Sequence, residues 1–431
     1  MPSEEDPLRT LSGEARALVE QIAATQGGPL EPPEFLDSML RAGSKLEGGT
    51  FTKIALHAGL SFDELDLRPF RALTELSANG VHWTRKLRRV VLGEQPRLRK
   101  LLLGSHGLSS LDLSGCRALV DLDVSRNALA SVELPDAPLE IVDVTGNPLK
   151  ELELSRHRAL ARLEVMNAAL TELDLAAHDE LRALRCAGNR ALRRLTLPRR
   201  APLAQLAVSY CPLGTLDVRP FPTLEALFCD ECGLRTLELS ANTALRQLSC
   251  DGNRLKELEL PRRLESFSAK DSPLATLDVR ALDRLSSLEV DASVEVSCTE
   301  RQKRAVPELR ARFGLKKHTK LADMDLWELD QLARHHNWDD GVKKLQSVVE
   351  HPRCDLGTAL MVYWLGEPEE LAQYAKEADA PKHERAVVKL LRTIEARVAR
   401  DDWATREVAF EGAESDEALV PKAMRQRVTP R

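Results

Sequence analysis

Residues Leu119, Val120, Asp121, Leu122, Asp123, Val124, Ser125, Arg126, Asn127, Ala128 and Leu129 set apolar side chains at the first, fourth, sixth and eleventh places of a short run, with asparagine at the ninth. The run returns at 139–149 with Asn147, at 160–170, from 181 with Asn189, at 203–213, 224–234, 245–255 with Asn253, and 264–274. It opens at 98–108 and closes from 285. Its fourth place is occupied in turn by Leu101, Leu122, Val142, Leu163, Leu184, Leu206, Leu227, Leu248, Phe267 and Leu288. The intervals are 21, 20, 21, 21, 22, 21, 21, 19 and 21 residues. A fixed period of this size marks an array of units, each of which buries its apolar edge only by stacking on its neighbours.

Within a unit, Leu122, Val124 and their equivalents alternate with polar residues, which predicts a short strand. A second leucine set follows, as in Leu108, Leu111 and Leu113, or Leu149, Leu152 and Leu154. That half is too short for a full helix, so each coil is read as strand, turn and extended or 3₁₀-like return. The pattern resembles the leucine-rich repeat in its short, 21-residue bacterial form. The resemblance implies an α/β repeat fold: a leucine-rich-repeat solenoid with a parallel concave β-sheet of about ten coils, roughly 45–50 Å long.

The place after each strand reads His106, Asn127, Asn147, Ala168, Asn189, Cys211, Cys232, Asn253 and Ser272. In such a fold the side chain there bonds backbone groups of the turn, coil after coil, and Cys or Ser partly replaces Asn. Cys186, Cys229 and Cys250 take the last inward strand position and read as small buried hydrophobes. Cys229 and Cys232 form a C-x-x-C, but no second pair stands at zinc spacing, so no metal site is expected. The return run carries an acidic column: Asp112, Glu133, Glu153, Asp174, Asp217, Glu238, Glu259 and Asp278, with Thr196 as its one exception. It is read as a solvated edge balanced by Lys150, Arg193, Arg194, Arg235 and Lys256, because the spacings of a calcium ladder are missing.

The outward strand positions form the expected partner-binding face. Its first half is acidic, with Asp121, Asp123, Glu140, Asp143 and Glu164, and its middle holds Arg162, Arg182, Arg185, Tyr210 and Phe228. Exposed aromatics flanked by Arg and carboxylates have the composition of a protein-binding hot spot.

Aromatic residues separate this middle from both ends: only Tyr210, Phe221, Phe228 and Phe267 lie between Leu98 and Ala292. Residues 1–97 are read as an N-terminal helical cap with degenerate repeats. A helix following Ser12 breaks at Gly27, Gly28 and Pro29, and a second begins at Pro33. The array proper spans 98–298, a cap or linker 299–322, an all-α domain 323–403 and a flexible tail 404–431. In the α domain, Asp325 with Glu328 makes a capping box. Helices are expected at 342–350, around 359–365, over 369–377 and over 383–400.

The 431 residues carry 61 Lys+Arg against 67 Asp+Glu, a net charge of −6, which argues against a nucleic-acid binder. No run of 18 apolar residues predicts a membrane span. The acidic N-terminus lacks a hydrophobic leader segment, so a cytoplasmic monomer with eight reduced cysteines is expected.

The turn Asn337, Trp338, Asp339, Asp340, Gly341 is followed by His351, Pro352, Arg353, Cys354, Asp355, Leu356, Gly357, Thr358, Ala359 and Leu360. These motifs resemble a small bacterial domain known only as a domain of unknown function, over about 50 residues. The resemblance implies no mechanism. Modules of this kind often accompany secreted toxins, which makes an immunity-like role the first alternative to a protein-interaction scaffold. The second alternative is an effector or enzyme acting through Cys354 and His351. Some bacterial leucine-rich-repeat effectors carry a helical ubiquitin ligase with a C-x-D motif, whereas here Cys354 and Asp355 are adjacent and the domain is much shorter. The expected roles are therefore structural: Asp355 as helix N-cap, Cys354 as core filler, Asp339 and Asp340 as turn residues. No catalytic residue, cofactor, nucleic acid or membrane is expected, and the partner is another protein.

Overall fold

The computed structural model describes residues 7–25, 32–56, 63–80, 87–315, 320–403, 405–408, 410, 422–425 and 428. The predicted break at Gly27, Gly28 and Pro29 lies outside them. The chain divides into two compact units, residues 1–285 with 289–297, and 286–288 with 298–431.

The first unit is a solenoid built on a sheet of 13 strands, of which all but the first run parallel. Each marker residue sits at the centre of a three- or four-residue strand and is paired with the next marker: Leu122 with Val142, Val142 with Leu163, Leu163 with Leu184, and so on to Phe267. Every one of them is buried, and the residues on either side turn outward, as the two-residue pleat requires. The sheet begins before the regular repeats. Strands Thr50–Ala55 and Glu75–Ser77 continue it toward the N-terminus, and Lys45–Glu47 folds back antiparallel on its first edge. That edge strand is short and carries Lys45 and Glu47, a composition that discourages pairing with other chains. Helices α1 (Gly13–Thr25) and α2 (Pro32–Arg41) precede it, the first burying Ala15, Leu18, Val19 and Ile22.

An internal ladder joins the coils. Asn147 Nδ2 donates to the carbonyls of Val124 (2.9 Å) and Val144 (3.0 Å), while its Oδ1 accepts from the Leu129 N–H at 3.0 Å. Asn127, Asn189 and Asn253 repeat this pattern. Cys232 reproduces only its donor half, with Sγ toward the Val208 carbonyl at 3.1 Å. A thiol is a poor acceptor, so the Leu213 N–H turns to the Cys211 carbonyl of its own coil at 2.7 Å. Likewise the Leu192 N–H turns to the Asn189 carbonyl where Cys211 stands, and Leu149 N–H to Asn147 where Ala168 stands. The residue before the ladder position has a positive φ in many coils: Gly146, Gly188 and Gly252, but also Arg126, Tyr210 and Glu231.

A second ladder, unforeseen in the sequence, lies on the opposite corner. Gln95, His157, His178 and Asn242 are buried there and bond backbone carbonyls of their own or the preceding coil. Burial holds the His157 imidazole below its ordinary pKa.

The acidic column is not merely solvated. Asp112, Glu153, Asp174, Asp217, Glu238 and Asp278 each accept from the backbone N–H two residues on, at 2.8–3.1 Å. Asp217 and Asp278 add ion pairs with Arg219 and Arg280, two residues on, and the Arg280 hydrogen bonds pull the Asp278 carboxyl down to about 2. These six carboxylates are thus held by their own turns, because a carboxylate reaches the N–H two residues on before it reaches a neighbouring coil.

The second unit holds α3 (Glu300–Ala305), α4 (Pro307–Arg312), α5 (Leu326–Arg334), α6 (Lys343–Glu350), α7 (Leu356–Leu365), α8 (Pro368–Leu371) and α9 (Arg385–Arg400). Its core gathers Leu329, Val348, Ala359, Leu360, Tyr363, Leu390 and Ile394. The capping box of Asp325 and Glu328 is present. Residues 299–305, expected in a linker, join this unit: Thr299 caps α3, Arg304 pairs with Asp325 at 2.8 Å, and Arg301 lies 5.5 Å from the Trp327 ring centre. The helix expected over 369–377 is cut to α8, since Arg392 takes the carbonyls of Leu371, Ala372 and Tyr374 and so ends it.

Within the segment expected as a loose tail from 404, the described residues make defined contacts. Val408, Met424 and Val428 are buried, Phe410 and Val428 form an antiparallel bridge, and the Trp364 indole N–H donates to the Met424 carbonyl at 2.8 Å. Met424 and Val428 belong to the helical core and Phe410 packs against it, which average composition hides.

Candidate interaction surface

The outward column at the strand ends reads Asp123, Asp143, Glu164, Arg185, Ala207, Phe228 and Ser249, each in register with the next. The column at the strand starts reads Asp121, Ile141, Arg162, Ala183, Gln205, Ala226 and Gln247. Lys100 neutralises Asp121 at 2.7 Å, and Glu164 has Arg185 and Arg162 at 3.8 and 3.9 Å. Among the described residues, no basic side chain pairs with Asp123 or Asp143. Each instead accepts the N–H of the residue two ahead, Ser125 or Thr145, at 2.9 Å. Burial, and then the flanking Asp123 and Glu164, push the Asp143 carboxyl above its ordinary range.

Phe228 is 38% exposed, and its strand partners on either side are the small residues Ala207 and Ser249. Tyr210 is not its partner in the strand register. It lies three residues past its strand, in the left-handed turn position with φ 63°, and Ala207 holds the place expected for it. Glu140 likewise precedes its strand, and the outward residue is Ile141, 37% exposed, which the sequence reading passed over. The pleat carries the signal for Ile141: it is two residues before Asp143 and so on the same face. Next to Phe228, Asp230 accepts from the hydroxyls of Ser209 (2.9 Å) and Ser249 (2.5 Å) and from the Asp251 N–H, a network that locks this part of the face.

In the helical unit the two motifs serve packing. Asn337 caps the turn of Trp338, Asp339 and Asp340, and both acids are exposed. Trp338 packs against the core. The Cys354 thiol is fully buried, and burial pushes it up to about 12. His351 Nδ1 accepts the Arg353 N–H at 3.1 Å, and its ring makes no bond to that thiol among the described residues. A nucleophile must ionise and be reached, whereas Cys354 sits in the core cluster of the unit. Among the described residues no group of three or more His, Cys, Asp or Glu is placed to hold a metal.

Asp355 is fully buried and caps α7 through the Gly357 N–H at 2.7 Å. It also takes the Thr405 hydroxyl at 2.6 Å and the N–H groups of Glu407 and Val408 at 2.7 and 3.2 Å. Burial pushes its carboxyl up, and these four donors act against that. Arg397, also buried, donates to the carbonyls of Val349, His351 and Asp402 and stacks 4.1 Å from the Trp403 ring centre.

The parallel register, the asparagine ladder and the 21-residue period decide the architecture together. The fold is a leucine-rich-repeat solenoid. Residues 325–399 match the model of a domain family described as a domain of unknown function, DUF4274. Among solved structures, the functional domain of InlJ from Listeria monocytogenes, which includes a cysteine ladder, is 26% identical, covering 49% of this chain and 50% of that one, with a TM-score of 0.45. The chain therefore spans half the length of that structure. A leucine-rich-repeat protein of Leptospira interrogans is 16% identical over 58% of this chain and 87% of that one, TM-score 0.46. YopM from Yersinia enterocolitica is 20% identical over 67% and 79%, TM-score 0.40. No curated protein matches the chain. Among the described residues no helix is long and apolar enough to cross a membrane.

All eight cysteines are unbridged, and seven are buried. Under native, non-reducing conditions at pH 8, a thiol reagent should therefore react quickly with Cys298 alone among them. All eight should react in denaturant. Fewer than eight in denaturant would contradict the ladder and core assignments.

Proposed function

We propose that the solenoid is a protein-interaction scaffold that binds its partner on the outer strand face, with the helical unit as an accessory module. The observation that supports this is Phe228, an exposed aromatic paired in the strand register with the small residues Ala207 and Ser249, three strands from Glu164 and five from Asp123. Rigid strands lose little entropy on binding, and a central exposed aromatic is the residue type that dominates such interfaces. Asp123 and Asp143, which meet no basic side chain among the described residues, suit a partner with basic groups at that end and act mainly on association rate.

The test captures binding proteins from the source cells with the wild-type chain and with Phe228→Ala, then measures affinity for those that distinguish them. Truncating a hot-spot aromatic costs about 2 kcal/mol or more, so Phe228→Ala should weaken binding at least tenfold while the melting temperature stays unchanged. Lysine at positions 123 and 143 should slow association most at low salt. Unaltered binding by both variants would remove the strand face as the site.

A further inference from the structure

We infer that the start of α7 is a receptor for an extended peptide, and that residues 405–408 are its resident ligand. The contacts are those of peptide recognition. Asp355 takes a hydroxyl from the first residue of the segment and main-chain N–H groups from the third and fourth, while the Leu356 N–H donates back to the Thr405 carbonyl at 3.3 Å. The Val408 side chain is wholly buried. A methyl group built on Gly357 would lie 2.0 Å from the Val408 carbonyl oxygen, so that position is shaped for a backbone passing across it.

The receptor is braced independently of what fills it. Thr358 donates to the buried Asp330 of α5 at 3.0 Å, Asp330 pairs with Arg334 at 2.8 Å, and Gly357 caps onto Asp355. The match to the domain family covers 325–399 and so contains Asp355, Leu356, Gly357 and Thr358, but it stops before Thr405. The receptor belongs to the module, and the occupant is supplied by what this chain adds after it. Because the contacts are mostly to main chain, the ligand class is broad: an extended peptide with Thr or Ser at one position and a medium apolar residue three places on.

The test uses the full chain carrying Thr405→Ala and Val408→Asp, which weakens the resident segment, and a fluorescent peptide of residues 401–412. Saturable binding to this variant is expected. Binding should be at least tenfold weaker to the wild-type chain, whose own segment competes, and at least tenfold weaker when Asp355→Asn is added. A peptide with the same two substitutions should not bind. Equal binding to all three chains, or none to the double variant, overturns the proposal. Loss of helical signal in the double variant also overturns it, since the segment would then be inseparable core. In the wild-type chain the Glu407 and Val408 amides should resist hydrogen exchange, and unprotected amides there would count against the site directly.

Discussion

Asp355→Ala is expected to destabilise the helical unit by about 3–5 kcal/mol, since it leaves buried donors without an acceptor, each of which costs about 1–3 kcal/mol with partial relaxation. The carboxylate is the common acceptor of Gly357, Thr405, Glu407 and Val408, so one truncation strips the cap of α7 and releases the segment that crosses Gly357. Four of the five tryptophans, at 327, 338, 364 and 403, lie in this unit, so denaturant unfolding of the full chain followed by their fluorescence reads the effect. Asp355→Asn keeps one acceptor oxygen and should fall between wild type and alanine. An unchanged midpoint for the alanine variant would mean that residues 405–408 are not held there.

Asn147→Ala is expected to cost the solenoid about 2–4 kcal/mol, because two buried backbone groups lose their partner together, the Leu129 N–H and the Val144 carbonyl, while the Val124 carbonyl keeps only Asn127. Asn147→Cys should cost less. A thiol keeps the donor half, as Cys232 does toward Val208, and the orphaned N–H has a fallback within its own coil, as the Leu213 N–H has. The midpoint of unfolding by circular dichroism gives the ranking, and exchange of the Leu129 amide gives the location. If alanine and cysteine were equally costly, the thiols at 211 and 232 would be fillers rather than ladder members.

The two ladders show what periodicity reveals and what it hides. Asn127, Asn147, Asn189 and Asn253 recur at one place in the repeat, and a side chain that is both donor and acceptor has one obvious use at a turn. Gln95, His157, His178 and Asn242 share a structural place without sharing chemistry, so no column of like residues draws the eye. The acidic column was visible, but its role depends on reach: the carboxylates fold back on N–H groups two residues ahead, and only the turn conformation brings those close. The strand face divides in the same way. Phe228 and the acids Asp123 and Asp143 followed from alternation around the marker residues. Tyr210 did not, because alternation ends where the strand ends and the next turn is left-handed.

The sequence by itself determined the solenoid, its coil spacing, the inward leucines and the caps of α5 and α7, because these depend on residues close along the chain or on a period repeated many times. Only the tertiary structure decided that Cys354 is buried with no bond to His351 among the described residues, that Asp355 holds a segment fifty residues further on, and that Met424 and Val428 join the helical core. Each of those depends on a single contact between distant residues. Such a contact leaves no repeat and no local pattern, and its energy comes from burial and hydrogen bonding that exist only once the chain has closed.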